Sequence, residues 1–355
     1  MRKIKVAILF GGVSTEHEVS CRSAYFVIDG IDKQKYDPIL FGITKDGTWR
    51  EYIGCIDNIK AGTWLEYTRN EKIPFKAFEF ISRINDIDIV FPVLHGKNGE
   101  DGTIQGFLQT LDIPYTGCGI LASSVCMDKS IAKAVFESTG IPQGKYITIL
   151  KDDADNHLSE MLLMCEQKIH YPCFVKPSNA GSSVGVSKVY DREQLEKAIF
   201  LALKYDGRIL VEEYMRGTEI ECSIMGNEQP VASGTGKIIA AGDFYDYNAK
   251  YINNNSKVII PAGLDDELEN TVRHYALAAY KATDCSGLAR VDFFVDEIER
   301  KVYINEINTM PGCTEISMYP KLWDKEGITG TGLITLLIEF GFERYRYNKS
   351  FQTNI

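Results

Sequence analysis

Two segments near the C-terminal end constrain the fold most. Residues 289–295 and 301–306 carry apolar and polar side chains in strand-like alternation, and the charged stretch 296–300 between them suits a hairpin turn. A turn centred on Glu299 sets Asp292 opposite Glu306 and Arg290 opposite Asn308. Residues two apart share a face of a strand, so these four project from one side. Val291, Phe293, Val295, Tyr303 and Ile307 then make an opposite, apolar face that packs. Carboxylates that face each other across a ladder repel. A hard cation relieves that repulsion, and two carboxylates plus an amide oxygen are ligands that magnesium accepts. The hairpin is thus a candidate metal and phosphate site; the competing reading is an ordinary exposed polar face.

A chain of 355 residues has room for one large domain or about two to three ordinary ones. Its apolar content of 45% is that of a soluble globular protein, and its formal charge of −10 gives a nucleic-acid partner no global support. No apolar stretch approaches the ~20 residues of a membrane span. The basic start and the short apolar run Val6 to Phe10 lead into Gly11-Gly12, which fits a first strand and not a signal peptide. Nine cysteines without any Cys-x-x-Cys favour reduced thiols in a cytoplasmic protein. Cys313 lies near the candidate metal site, but with no histidine close in sequence a packing role is favoured over a nucleophilic one.

Residues 1–118 read as a β/α layer with a mostly parallel sheet. Strands are expected at 4–10, 39–43 and 87–94, and a helix opens near Ser14 or Thr15 as its cap. The glycine pattern is not a dinucleotide fingerprint. Residues 119–213 hold Met127-Asp128-Lys129 on an amphipathic helix, strands at 146–150 and 173–176, and a helix at 193–203. A strand there delivers Lys176 into a small-residue loop, Gly181-Ser182-Ser183-Val184-Gly185, whose backbone N–H groups can converge on an anion. It is not a Walker loop. Residues 214–350 begin after a strand at 210–214 that could line a nucleotide cleft, and continue with Glu219 on the next strand. Gly234 to Lys237 read as a turn, 243–263 as a long loop with Lys250 and Tyr251, and 265–281 as an amphipathic helix.

Taken together, these motifs resemble the D-alanine–D-alanine ligases of the ATP-grasp superfamily over roughly residues 4–340. The resemblance is carried in order by Gly11-Gly12 through Ser20, His95 through Gly102, Met127-Asp128-Lys129, Lys176-Pro177 with the Gly181–Gly185 loop, Phe244 through Tyr251, and Asn305-Glu306-x-Asn308-x-x-Pro311-Gly312. It implies an α/β fold, α+β in the ATP-grasp part. Three domains are expected: a Rossmann-like 1–118, a central 119–213 and a C-terminal 214–350 with metal site and lid loop.

The resemblance also implies a reaction and its groups. ATP would activate one D-alanine as an acyl phosphate, which the amine of a second D-alanine attacks, supplying a dipeptide for peptidoglycan. Phosphoryl transfer of this kind needs positioning and charge neutralisation above all. Lys129, Lys176 and Ser183 would hold ATP phosphates, and Glu212 and Glu219 the adenosine. Asp292, Glu306 and Asn308 would bind two magnesium ions, or manganese in their place. Arg290 and the N–H of Gly312 would stabilise developing charge. Glu16 would take the ammonium of the first D-alanine and bridge through Ser182 to Tyr251, with His95 near the substrate carboxylate. Lys250 and Ser317 would bind the second carboxylate or the intermediate. Met318 stands where D-serine-using relatives tend to carry arginine, so an apolar second subsite is expected. A homodimer, no nucleic acid and no membrane complete the expectation. Two alternatives stay open: a related carboxylate–amine ligase with another acceptor such as D-serine, and an ATP-binding module without catalysis.

Overall fold

Val6 to Phe10 is an unbroken apolar run, and every residue of it is fully buried. That pattern suits a parallel strand covered on both faces. In the computed structural model, which describes residues 2–68, 74–239 and 257–351, it is the core of β1 (Ile4–Gly11). β1 pairs in parallel with β2 (Tyr36–Ile43) and β4 (Ile89–Pro92). An unforeseen edge strand, β3 (Trp49–Tyr52), adds antiparallel to β2 and gives the order β3-β2-β1-β4. Four residues with Arg50 and Glu51 at their centre carry too little apolar alternation to announce a strand.

The first helix is His17–Gly30, with Glu16 in the cap position and no side-chain cap. Ser14 and Thr15 are therefore not its caps. The Ser14 hydroxyl accepts from the N–H of Glu16 at 3.1 Å and donates to the carbonyl of His95 at 2.7 Å, so it ties two loops together instead.

The second sheet runs β5-β8-β6-β7, all antiparallel: β5 (Tyr146–Leu150), β6 (Cys173–Pro177), β7 (Ser187–Val189) and β8 (Arg208–Glu213). Met127-Asp128-Lys129 is not one helix but the joint between Ile120–Met127 and Lys129–Ser138. Asp128 caps the second of these through the N–H groups of Ser130 and Ile131. Its carboxylate also accepts from Ser178, Asn179 and Arg208, which fixes Lys129 beside the loop that follows β6.

The third sheet runs β11-β10-β9-β12-β13: β9 (Thr218–Gly226), β10 (Val231–Ile239), β11 (Lys257–Ile259), β12 (Gly287–Asp296) and β13 (Lys301–Asn308). Gly234 to Lys237 is strand here, not turn. A Cβ on Gly236 would stand 2.2 Å from the sulfur of Met318, so the glycine lets that side chain lie flat on β10. The helix Asp266–Ala282 covers β9 and β10 with Leu268, Val272, Ala276 and Ala279.

The acidic hairpin forms with one refinement. Asp296 pairs with Lys301 and Phe293 with Ile304, yet Asp292 pairs with Glu306, so Asn305 is the extra residue of a β-bulge. Val302 and Ile304 therefore join Ile307 in the core with Val291, Phe293 and Val295. Tyr303, expected on that face, lies opposite Phe294 on the other. Each large apolar side chain so buried contributes roughly 1.5–3 kcal/mol. The last helix, Gly330–Lys349, returns to pack on His17–Gly30 and β4, and Leu333, Ile334 and Leu337 complete the core under β1.

Candidate functional site

A cleft of ≈ 700 Å³ is lined by residues of all three sheets and their loops. It brings together Glu16, His95, Lys129, Lys176, Ser182, Ser183, Glu212, Glu219, Arg290, Glu306, Asn308 and Gly312. Asp292, Ser317 and Met318 are not on its described wall. Lys250 and Tyr251, with the rest of 240–256, lie outside the described residues.

The wall from the third sheet is a grid of side chains. Asp292 pairs with Glu221 on one side and Glu306 on the other, and Arg290 pairs with Ser223 and Asn308. Phe294 pairs with Glu219 and Tyr303. The outcome is a row of three carboxylates across β9, β12 and β13, with Glu219 beside it on the same face of β9. Glu219, Glu221 and Asp292 each offer an oxygen within 4.8 Å of the others. Arg290 neutralises part of this charge. Its Nη2 meets Asp292 Oδ2 at 2.7 Å and its Nε meets Glu221 Oε2 at 3.0 Å. Burial opposes the guanidinium charge, but Asp292 and Glu221 outweigh it and hold the pKa well above the usual arginine value. Asn308 Nδ2 donates to Asp292 Oδ2 at 3.0 Å. Arg290, with Lys129 3.8 Å from Glu306, is outnumbered by four carboxylates, and that hard, anionic donor chemistry fits a divalent cation. Glu221 escaped the sequence reading, although it shares a face with Glu219 by the same period of two.

The wall from the second sheet is basic. Lys176 Nζ lies 2.5 Å from Glu212 Oε2, and Lys133 Nζ 3.0 Å from Glu212 Oε1. Burial would raise the Glu212 pKa, but Lys133 and Lys176 overcome it and keep the carboxyl below its ordinary value. Lys133 was also missed; it stands one helical turn beyond Lys129, and only the fold reveals its partner. Lys129 donates to the carbonyl of Ala180 at 2.8 Å and lies 3.8 Å from Glu306. Its pKa is lowered, chiefly by burial. Ser182 and Ser183 both adopt positive φ, 49° and 60°, a conformation that turns neighbouring N–H groups toward one point.

At the first-sheet end, the hydroxyl of Ser182 donates to Glu16 Oε1 at 2.5 Å. The same carboxylate lies so close to Gly96 and Gly181 that a Cβ on either would stand 2.5 Å or 2.7 Å from Oε2. Glu100, half-buried nearby, accepts from the N–H of Gly96 at 2.7 Å. Burial, reinforced by the Glu16 charge, pushes its carboxyl up to about 8.

His95 lines the cleft, and its ring is held by the protein. Its Nδ1 lies 3.0 Å from the carbonyl of Met310, which only accepts, so Nδ1 carries the proton. Nε2 then accepts from the Ser23 hydroxyl at 2.9 Å and offers no hydrogen to a carboxylate. Burial lowers its pKa, which keeps the ring neutral. The ring is thus engaged by protein on both nitrogens. Ser317 is engaged as well: its hydroxyl accepts from the N–H of Thr314 at 3.0 Å. Met318 is turned away from the cleft, packed with Ile238 and Leu322. Its neighbourhood is apolar. Cys313 is buried, and burial pushes its thiol up to about 12, which suits packing and not nucleophilic attack.

Comparison with known proteins agrees along the whole chain. A family model described as "D-ala D-ala ligase N-terminus" matches residues 5–118, and one described as "D-ala D-ala ligase C-terminus" matches 135–339. A D-alanine–D-alanine ligase of Ruminiclostridium cellulolyticum is 49% identical over 373 aligned positions, covering 100% of this chain and 99% of that protein. Among solved structures, the VanG D-Ala:D-Ser ligase from Enterococcus faecalis superposes with a TM-score of 0.83 at 35% identity, covering 96% of this chain and 100% of its own. The D-alanine–D-alanine ligase from Bacillus anthracis complexed with ATP does so with a TM-score of 0.75 at 30% identity, over 97% and 99%.

Proposed function

We infer that this chain, which belongs to the D-alanine–D-alanine ligase family, is an ATP-dependent ligase that joins two D-alanines into D-alanyl-D-alanine for peptidoglycan. The observation that carries the reading is the facing of two walls across one cleft: Lys129, Lys133 and Lys176 on one side, and Glu219, Arg290 and Glu306 on the other, with Asp292 and Glu221 bonded to Arg290. A polyanion with hard counter-ions fits between them.

In this reading Lys129 and Lys176 bind the phosphates, helped by the N–H groups around Ser182 and Ser183. Lys176 must then exchange Glu212 for phosphate, and that exchange frees a Glu212 oxygen to meet the adenine amino group. Glu219 takes the ribose. Two magnesium ions, or manganese, held by Asp292, Glu306 and Asn308, would neutralise the terminal phosphates when bound. Glu16 holds the ammonium of the first D-alanine and orients its carboxylate toward the γ-phosphorus. Attack there forms D-alanyl phosphate and releases ADP. The amine of the second D-alanine then displaces phosphate at the carbonyl carbon. Arg290 and the Gly312 N–H stabilise charge on the oxygens, an effect of on the order of 3 kcal/mol per donor. Lys250 and Ser317 take the second carboxylate or the intermediate, and Tyr251, outside the described residues, is assigned to the hydrogen-bonded bridge with Glu16 and Ser182.

A D-alanine–D-serine activity is the runner-up, because the VanG relative is named for it. The D-alanine–D-alanine ligase of Ruminiclostridium cellulolyticum, at 49% identity against 35% for VanG, favours D-alanine. Mass spectrometry of products from mixed D-alanine, D-serine and D-lactate with ATP and magnesium decides. D-alanyl-D-alanine as the main product is expected; ligation only to another acceptor rejects the reading.

We divide the chain near residues 118 and 213, supported by the distribution of one sheet to each part. The last helix is an exception, since it packs back on the first sheet. A cytoplasmic location is supported by the unpaired state of all the cysteines among the described residues. Among those residues no helix is long and apolar enough to cross a membrane. A homodimer rests on the family alone, and light scattering checks it.

A further inference from the structure

We propose that Ser23, which no part of the reading above uses, is a positioning residue that braces the Pro311–Gly312 turn against the first D-alanine subsite. Ser23 is fully buried on the first helix, one and two turns beyond Ser20 and Glu16 on a shared face. Ser20 faces the sheet in the same way: its hydroxyl donates to the carbonyl of Val93 and accepts from the N–H of Gly11. The Ser23 hydroxyl makes two contacts. It donates to His95 Nε2 at 2.9 Å and accepts from the N–H of Cys313 at 3.3 Å. His95 in turn donates from Nδ1 to the carbonyl of Met310 at 3.0 Å.

These bonds close a ring. It runs from Ser23 through His95 to Met310, along Pro311 and Gly312 to Cys313, and back to Ser23. Met310 and Cys313 are both buried, so the turn is held at each end away from water, while Pro311 and Gly312 line the cleft. Ser23 sets the polarity of the ring. Its proton goes to Nε2 because Nδ1 must keep its own for Met310, and its lone pair is then free for Cys313. Without the hydroxyl, the Cys313 N–H is left unpaired and the His95 ring loses the partner that fixes its plane. The turn can then shift by a fraction of an ångström relative to Glu16. An oxyanion donor acts only when aimed at the position the charged oxygen will occupy, so the loss falls on turnover more than on nucleotide binding.

The proposal rests on the ligase reading, and the experiment separates the two. Wild type, Ser23→Ala, Ser23→Thr, His95→Gln and the Ser23→Ala/His95→Gln double variant are compared in steady-state ligation with ATP and D-alanine. Wild type that yields no D-alanyl-D-alanine rejects the ligase reading. Given an active wild type, Ser23→Ala is expected to lower kcat about 10- to 100-fold, with KM for ATP unchanged within about twofold. Ser23→Thr, which keeps the hydroxyl, is expected to restore most of the loss. The double variant is expected to be no worse than the poorer single one, because both break one ring. Wild-type kcat in Ser23→Ala, equal damage to kcat and to ATP KM, or independent multiplication of the two losses overturns the brace. If Ser23→Ala does not fold, Ser23→Cys, of similar size and with a weak donor, replaces it and is held to the same outcomes.

Discussion

The hydroxyl of Ser182 and the carboxylate of Glu16 are joined at 2.5 Å, although 166 residues separate them in the chain. The contact carries the small-residue loop after β6 onto the start of the first helix. Ser182→Ala removes one charge-assisted hydrogen bond, worth about 1.5–3 kcal/mol. The expected result is a fall in kcat/KM for D-alanine of roughly 10- to 100-fold, with little change in melting temperature. Steady-state kinetics at saturating ATP checks it; unchanged kcat/KM would detach the loop from the substrate site.

Lys133 is paired with Glu212 at 3.0 Å and is almost wholly buried. Lys133→Met leaves Glu212 with Lys176 as its remaining cationic partner among those two. Breaking a buried pair typically costs about 3–5 kcal/mol, and the surviving lysine places the effect near the lower end. Urea unfolding measures the stability loss, and calorimetric titration with ATP should show weaker binding in parallel. Full stability in this variant would mean that Lys176 alone compensates Glu212.

Glu306 sits on the cleft wall, with a side chain about one quarter exposed at 25%. Glu306→Gln keeps its shape and removes its charge. Ligation is expected to fall at least about 100-fold while the unfolding midpoint stays close to wild type. Removal of divalent ions with a chelator should mimic the loss in wild type, and magnesium should restore activity only there. A variant that turns over normally would displace Glu306 from the metal site.

Glu100 gives a pH dependence. Its carboxyl is raised by burial and by the Glu16 charge from 4.5 to about 8. The folded state therefore keeps a proton that the unfolded state has released, and stability falls as pH rises from 4.5 through 8. Glu100→Gln cannot ionise, so its stability should decline less over that window. Denaturant midpoints of the metal-free protein at pH 6 to about 9 compare the two. Parallel curves would show that Glu100 is ionised in the fold.

The hairpin was legible because a strand's period of two sorts its residues into polar and apolar sets without any tertiary information. The bulge at Asn305 was not. An extra residue leaves the alternation plausible on either side, so Tyr303 was given the place that Ile304 holds. Gly234 to Lys237 was misread for a related reason: glycines signal a turn unless something must lie close above the backbone, and Met318 is distant in sequence. Lys133 and Ser23 make sense only through partners on β8 and on the loops after β4 and β13. The edge strand β3 was too short and too charged to stand out.

The bulge has a further bearing on how such a chain can change. Residues between the turn and Asn305 keep one phase, and Glu306 onward keeps the opposite one. Selection for a well-filled interior and selection for chemistry can therefore act on the same strand without competing for positions. The junction itself has no such freedom. Drawing Asn305 into the ladder as a paired residue would rotate Glu306 and Asn308 into oil and bring Ile307 out to the nucleotide. Loss of Asn305 itself would leave Ile304 and Glu306 in consecutive pairs and keep both phases, so what the strand cannot tolerate is the absorption of the extra residue, not its removal.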